Sequence, residues 1–209
     1  FIALLGWHPT GDKELFSMEE MIDQFSIEHI HKAGAKFDFE KAKWFNHEYM
    51  KKKSGSELAS YFIPILNEKN ILANENYVAK VCDVLKGRCN FISEFWANSS
   101  FFFEEVKTFD ESIVKSKWNE KAKQNFIFLE EELKNQNDFS VTAIDQLLHS
   151  FLQKNNLKPG ELLPVLRVAL IGTKNGPSVF EIISLLGKEK SLSRLQNVHA
   201  IFDQMILIK

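Results

Sequence analysis

Residues 157–187, LKPGELLPVLRVALIGTKNGPSVFEIISLLG, most constrain what this chain can fold into. Pro159 and Gly160 open a helix in which Leu162, Leu163, Val165, Leu166, Val168, Ala169, Leu170 and Ile171 leave almost no polar face. A helix apolar all round is a buried helix. Gly172 is the expected stop. Ser178 and Glu181 form an S-x-x-E capping box that starts the next helix, and Gly187 ends it. Between them the loop 172–177, GTKNGP, joins a helix C-terminus to a helix N-terminus, and the latter suits a phosphate. The one charged residue inside the first helix is Arg167. At helical spacing its side is shared with Gly160, Leu163, Pro164, Leu170, Ile171 and Lys174. Two readings follow: a core arginine satisfying carbonyls in a helical hairpin, or a guanidinium on a bare strip that a planar ligand can approach.

The rest of the chain repeats the helical period. Ser17 and Glu20 cap a short helix with Met18, Met21, Ile22 and Phe25 on one face, and Ser26 opens another through Ile27 and Ile30. Asp38 caps a third, carrying Phe39, Ala42, Phe45 and Tyr49. Pro64 should bend or end the helix through Leu58 and Phe62. Residues 75–86 are amphipathic, Gly87 and Arg88 mark a helix end, and Ser93 is a candidate cap. A helical pattern runs from Glu111 to Leu133, another from Thr142 to Lys154, and a last one from Ser191 to Ile208. No strand alternation or fixed-period repeat occurs. The expectation is an all-α chain of about ten helices, with 19 phenylalanines mostly at core spacings.

Charge and motif content narrow the function classes. The net charge is −2, so no global basic signal announces nucleic acid. Residues 113–209 nevertheless carry 13 basic against 10 acidic side chains, a local balance of +3 around the central hairpin. Lys51, Lys52 and Lys53 end a helix beside Ser54-Gly55-Ser56, the first plausible boundary; they form either a solvated helix end or a contact to a phosphate backbone. Cys82 and Cys89 have neither zinc-knuckle nor C-x-x-C spacing, which reads as two free thiols in a reducing, cytoplasmic setting. No apolar run is long enough to span a bilayer. The six histidines show no clustering: His29 and His31 would point to different sides of a helix, and His47-Glu48 lacks the second histidine of a zincin. No catalytic constellation, metal site or phosphate loop is visible, so any catalysis is expected elsewhere. The chain starts without methionine inside an apolar run, as a piece of a longer protein would.

Three stretches together resemble the bacterial-type glutamyl-tRNA synthetases: ALLGWHPTGDKELFSMEEMIDQFSIEHIHKAGAKFDFEKAKWFN (3–46), the region of Arg88 with Phe101–Phe103, and LRVALIGTKNGPSVFEIISLLGKEKSLSRL (166–195). The likeness covers essentially the whole chain. It implies a stem-contact helical region (1–53) followed by a two-part α-helical anticodon-binding region (54–112 and 113–209). The ATP- and Mg-binding catalytic domain of the parent enzyme would lie upstream, leaving this fragment without cofactor and inactive. By the same resemblance Arg167, Gly176 and Val179 would contact anticodon bases, with Lys174 on the same loop, and Arg88 would read the third base. The expected partner is tRNA-Glu, with no membrane and no DNA. In one respect the sequence departs from the family: proline usually directly precedes the leucine of the L-R-x-A-L motif, whereas here Pro164 precedes Val165. Pro164 also stands three residues before Arg167, where an aromatic could stack on a base. The helical reading separates the chain from glutaminyl enzymes, which read the anticodon with β-barrels. Taken from its residues alone, the alternative is an all-helical protein–protein interaction module.

Overall fold

The computed structural model describes residues 1–32, 34 and 36–207. Among them are eleven α-helices and no strand: α1 (Ile2–Gly6), α2 (Met18–Gln24), α3 (Phe39–Lys52), α4 (Gly55–Glu68), α5 (Glu75–Leu85), α6 (Phe95–Phe103), α7 (Glu111–Lys117), α8 (Glu120–Asn135), α9 (Val141–Lys154), α10 (Pro159–Ile171) and α11 (Val179–Leu207). The all-α expectation holds. The only sheet-like pairing among the described residues is an isolated antiparallel bridge between Trp7 and Ile30.

Caps written in the sequence set the helix starts. Ser17/Glu20, Ser54/Glu57 and Ser178/Glu181 each form a reciprocal capping box, satisfying N–H groups that a helix cannot satisfy itself. Asp38, Asn74, Asp110, Asn119 and Ser140 cap five more. Asn119 divides the stretch that reads as one helix from Glu111 to Leu133 into α7 and α8. The segment after Ser26 is a single 3-10 turn, Ile27–His29, and Ser93 lies inside another, Ile92–Glu94, rather than capping α6. Pro64 neither ends nor starts a helix: α4 runs four residues past it to Glu68. Its ring replaces one N–H donor, and the turns on either side hold their apolar contacts through Phe62 and Leu66.

One continuous apolar core extends from Met50 to Phe202. The two parts of the expected anticodon-binding region therefore share an interior, with Phe62, Phe95 and Phe102 from the first and Phe126, Leu166, Leu170 and Phe202 from the second all essentially inaccessible to water. The N-terminal segment is organised differently. Trp7, Phe16 and Phe45 are buried there, but Met18, Ile22 and Phe25, the expected inward face of α2, are exposed to 64, 67 and 56%. A seven-residue helix has one apolar stripe, and nothing among the described residues covers it.

At the far end, α10 behaves as its composition requires. Leu162, Val165, Leu166 and Val168 to Ile171 are all buried. It stops at Gly172 in a left-handed conformation (φ 80°), where a Cβ would stand 2.4 Å from the Thr108 carbonyl oxygen. Only glycine allows that approach. The Asp110 N–H donates to the Gly172 carbonyl at 2.8 Å, tying the end of α10 to the 104–110 linker. Gly187 breaks α11 with φ 71° and ψ −179°, so the final segment turns back over the core.

Candidate nucleic-acid interface

Arg167 sits on the third turn of α10, half-buried. Its Nε donates to the Pro177 carbonyl and its Nη1 to the Lys174 carbonyl, both at 3.2 Å. These bonds fold the 172–177 loop back onto the helix that precedes it. They occupy two of the five N–H donors of a guanidinium, and no carboxylate forms an ion pair with it among the described residues. Burial, and then the positive charge of Arg88 nearby, hold its pKa below the usual arginine value. Lys174 lies past the end of α10, not on its face; its ammonium is 3.6 Å from the Asp110 carboxylate.

Arg88 arrives at the same place from the other half of the molecule. Two residues beyond the C-cap of α5, its N–H donates to the Leu85 carbonyl at 2.7 Å, which fixes the backbone and leaves the exposed side chain directed outward. Asn46 and His47 on α3 hold the adjoining loop: Asn46 donates to the Asn90 carbonyl, and the His47 Nδ1 lies 2.8 Å from the Cys89 carbonyl. Arg88 lines a cleft of about 630 Å³ whose other walls include Phe101, Glu104 and Thr108 on one side and Ile171, Thr173 and Gly176 on the other. It also lines a shallower one of about 520 Å³ with Lys51, Lys86, Asp83 and Glu181. Arg167 lines neither cleft, but it lies close enough to Arg88 to feel its charge, and neither guanidinium forms an ion pair with a carboxylate among the described residues. Like charges left together in a polar cleft are stable when an anion or an acceptor-rich group can sit between them.

The remaining expected residues separate. Gly176 lines the larger cleft. Val179 is 2% exposed, backbone and side chain together, and packed in the core. The lysine triplet is largely engaged within the protein. Lys51 pairs with Glu48 at 2.9 Å and Lys53 with Glu57 at 3.5 Å, while Lys52 lies over the Tyr49 ring. Of the three, only Lys51 lines the clefts that hold Arg88.

The structure also brings together residues whose association the sequence hides. His8, His29 and His31 cluster, with ring centroids 5.0 and 5.2 Å from that of His8, because the Trp7–Ile30 bridge joins two segments far apart in sequence. Among the described residues no group of three or more His, Cys, Asp or Glu is placed to hold a metal ion. Cys82 and Cys89 are free and buried, and burial pushes their thiols up to about 12 and about 11. Such thiols are poor nucleophiles. No helix of the described residues is long and apolar enough to cross a membrane. Arg194, 4% exposed, was hidden in plain pattern: it shares the face of Ser191, Leu195, Val198 and Phe202, so a charge on an apolar stripe was the available signal.

Known proteins share this fold. The family model described as "Anticodon binding domain" matches residues 57–199. Glutamate–tRNA ligases of Porphyromonas gingivalis and Flavobacterium johnsoniae are each 39% identical over 196 residues, which is 94% of this chain and 39% of each relative. A crystal structure of a glutamate tRNA ligase from Elizabethkingia meningosepticum, in complex with its amino acid, superposes with a TM-score of 0.83 at 31% identity, over 99% of this chain and 40% of that one. The glutamate-tRNA synthetase of Elizabethkingia anophelis matches with the same TM-score over 39% of its length. The chain spans about two fifths of the length of the relatives it matches. By fold, by sequence and by the extent of the match, it belongs to the anticodon-binding-domain family, in the form carried by glutamate–tRNA ligases.

Proposed function

We propose that this chain is the tRNA-recognition part of a glutamate–tRNA ligase, and that it positions tRNA-Glu for ATP-dependent glutamylation by a catalytic domain in the portion of the relatives it does not match. The observation that carries this reading is the proximity of Arg167 to Arg88, which lines the clefts between the two helical halves, with no carboxylate paired to either among the described residues. Arg88 suits a cytosine at the third anticodon position. Cytosine's pairing edge offers a carbonyl oxygen and a ring nitrogen as adjacent acceptors, and a guanidinium only donates. Guanine presents donors there, which would leave the arginine's own donors unpaired. Arg167, already anchored at two N–H groups, has three left for a neighbouring base. Lys51, Lys174 and Lys107, the last on the wall of the larger cleft, supply the phosphate attraction that makes such binding salt-sensitive. ATP and Mg belong to the unmatched portion, so the chain by itself activates no glutamate; two buried free thiols fit a reducing, cytoplasmic setting.

The test is salt-titrated binding of tRNA-Glu by the chain, with glutamate-dependent ATP–pyrophosphate exchange in parallel. Affinity that falls steeply with salt, without exchange, is the expected result. Salt-independent or absent binding would favour a protein–protein module, and exchange by the chain alone would refute the assignment of catalysis to another domain.

A further inference from the structure

The two walls of the larger cleft end in helix C-termini that face one another. Phe101 and Glu104 close α6 on one side, and Leu170 and Ile171 close α10 on the other. Each C-terminus carries a partial negative charge and carbonyls without intrahelical donors. Brought together in the interior they repel, and an unpaired buried carbonyl is costly in its own right. A single side chain from α11 answers both problems. Arg194 donates through Nη1 to the Leu170 carbonyl at 2.5 Å, and through Nη2 to the Phe101 carbonyl at 2.7 Å and the Glu104 carbonyl at 3.1 Å. One turn earlier, Lys190 donates to the Phe102 carbonyl at 3.0 Å, where the Tyr77 hydroxyl also donates at 3.3 Å.

We propose that Arg194 is a positioning residue that sets the separation of the cleft walls bearing Arg88 and the 172–176 loop, and thereby the base selectivity of the interface. It touches no nucleotide; it reaches α6 in the first half and α10 in the second through one planar guanidinium. Lysine cannot reproduce this, since an ammonium on a flexible stem lacks the fixed fork that spans acceptors on two helices. The effect on selectivity rests on the anticodon reading proposed above, whereas the effect on wall separation does not.

The experiment measures both. Ala97→Cys and Asn175→Cys place spin labels on opposite walls at exposed positions, and the native thiols are buried and unreactive. Pulsed dipolar spectroscopy then gives the label distance in the parent and in Arg194→Met. With the cation gone the two helix ends should move apart, so the distance distribution lengthens and broadens. In unlabelled protein, the ratio of affinities for synthetic anticodon stem-loops ending in cytosine and in guanine should fall about tenfold, the scale of one well-placed hydrogen bond to a charged group. Lys190→Met should do the same to a lesser degree, and Arg194→Lys should fall between parent and Arg194→Met. Should Arg194→Met fail to fold, the folded Arg194→Lys and Lys190→Met variants decide. A lower melting temperature with unchanged label distance and unchanged ratio would make Arg194 a stability residue only and overturn the proposal. If neither stem-loop binds the parent, the anticodon reading fails, and an unchanged label distance would still overturn the positioning role on its own.

Discussion

Replacing Arg167 with alanine separates its structural role from its recognition role. The side chain makes two hydrogen bonds to neutral carbonyls from a half-buried position. The Lys174 carbonyl lies on an exposed residue and regains water, but Pro177 is buried, so its carbonyl is left short of a donor. That loss is about 1–3 kcal/mol. At this chain length each kcal/mol lowers the melting temperature by about 2–4 °C, so Arg167→Ala should remain folded. The loss of a base contact adds about 1–3 kcal/mol to the free energy of RNA binding. Arg167→Lys sharpens the test, because it keeps the charge and loses the fork: overall salt dependence should persist while base preference declines. Thermal melts and stem-loop titrations on the same preparations give both quantities. A large fall in melting temperature with an unchanged anticodon preference would show that Arg167 is a loop anchor and nothing more.

Three further outcomes follow from particular contacts. Gly172→Ala forces a Cβ to within 2.4 Å of the Thr108 carbonyl at a positive φ; it should destabilise the chain by about 1–3 kcal/mol in chemical denaturation, and an unchanged midpoint would contradict the close approach. Asp203 accepts from the Trp118 indole at 2.8 Å and pairs with Lys123, and these partners, Lys123 first, hold its carboxyl below its ordinary value of 3.8. Since the folded pKa is depressed, the stabilisation is complete at neutral pH and is lost as pH falls below the ordinary value: the melting-temperature gap between the parent and Asp203→Asn should be constant above about pH 5 and close in acid, whereas a gap that widens in acid would refute it. Arg88→Gln should narrow the affinity gap between stem-loops ending in cytosine and guanine, because an amide both donates and accepts; an unchanged ratio in a folded variant would remove Arg88 from the reading site.

Much of this fold is legible in the chain because its signals are local. Ser17-x-x-Glu20 and Ser178-x-x-Glu181 act within one turn, and the apolar run from Leu162 to Ile171 admits no other burial pattern, so α2, α10 and the start of α11 stand where the sequence puts them. The resemblance in 166–195 is likewise borne out by the family to which the chain belongs. What local pattern cannot reveal is distance between remote segments. His8 meets His29 and His31 only because a single backbone bridge forms at Trp7, and Arg194 finds Phe101 across 93 positions of sequence. The exposure of Met18, Ile22 and Phe25 has the opposite cause: the amphipathic signal is real, but a stripe predicts burial only where another surface covers it. Val179 shows the limit of carrying a role over by position, since the residue there is buried in the core.

The central claim is that the neighbouring guanidiniums of Arg88, on the cleft between the helical halves, and Arg167, beside it on α10, read acceptor-rich bases. It is tested most directly by titrating the chain, at fixed salt, with two synthetic anticodon stem-loops that differ only in ending the anticodon with cytosine or guanine. The account predicts tighter binding of the cytosine form, by about 1–3 kcal/mol, with the preference abolished when Arg88→Gln and Arg167→Ala are combined. Equal affinity for the two stem-loops, or a preference that survives the double substitution in a folded protein, would contradict it.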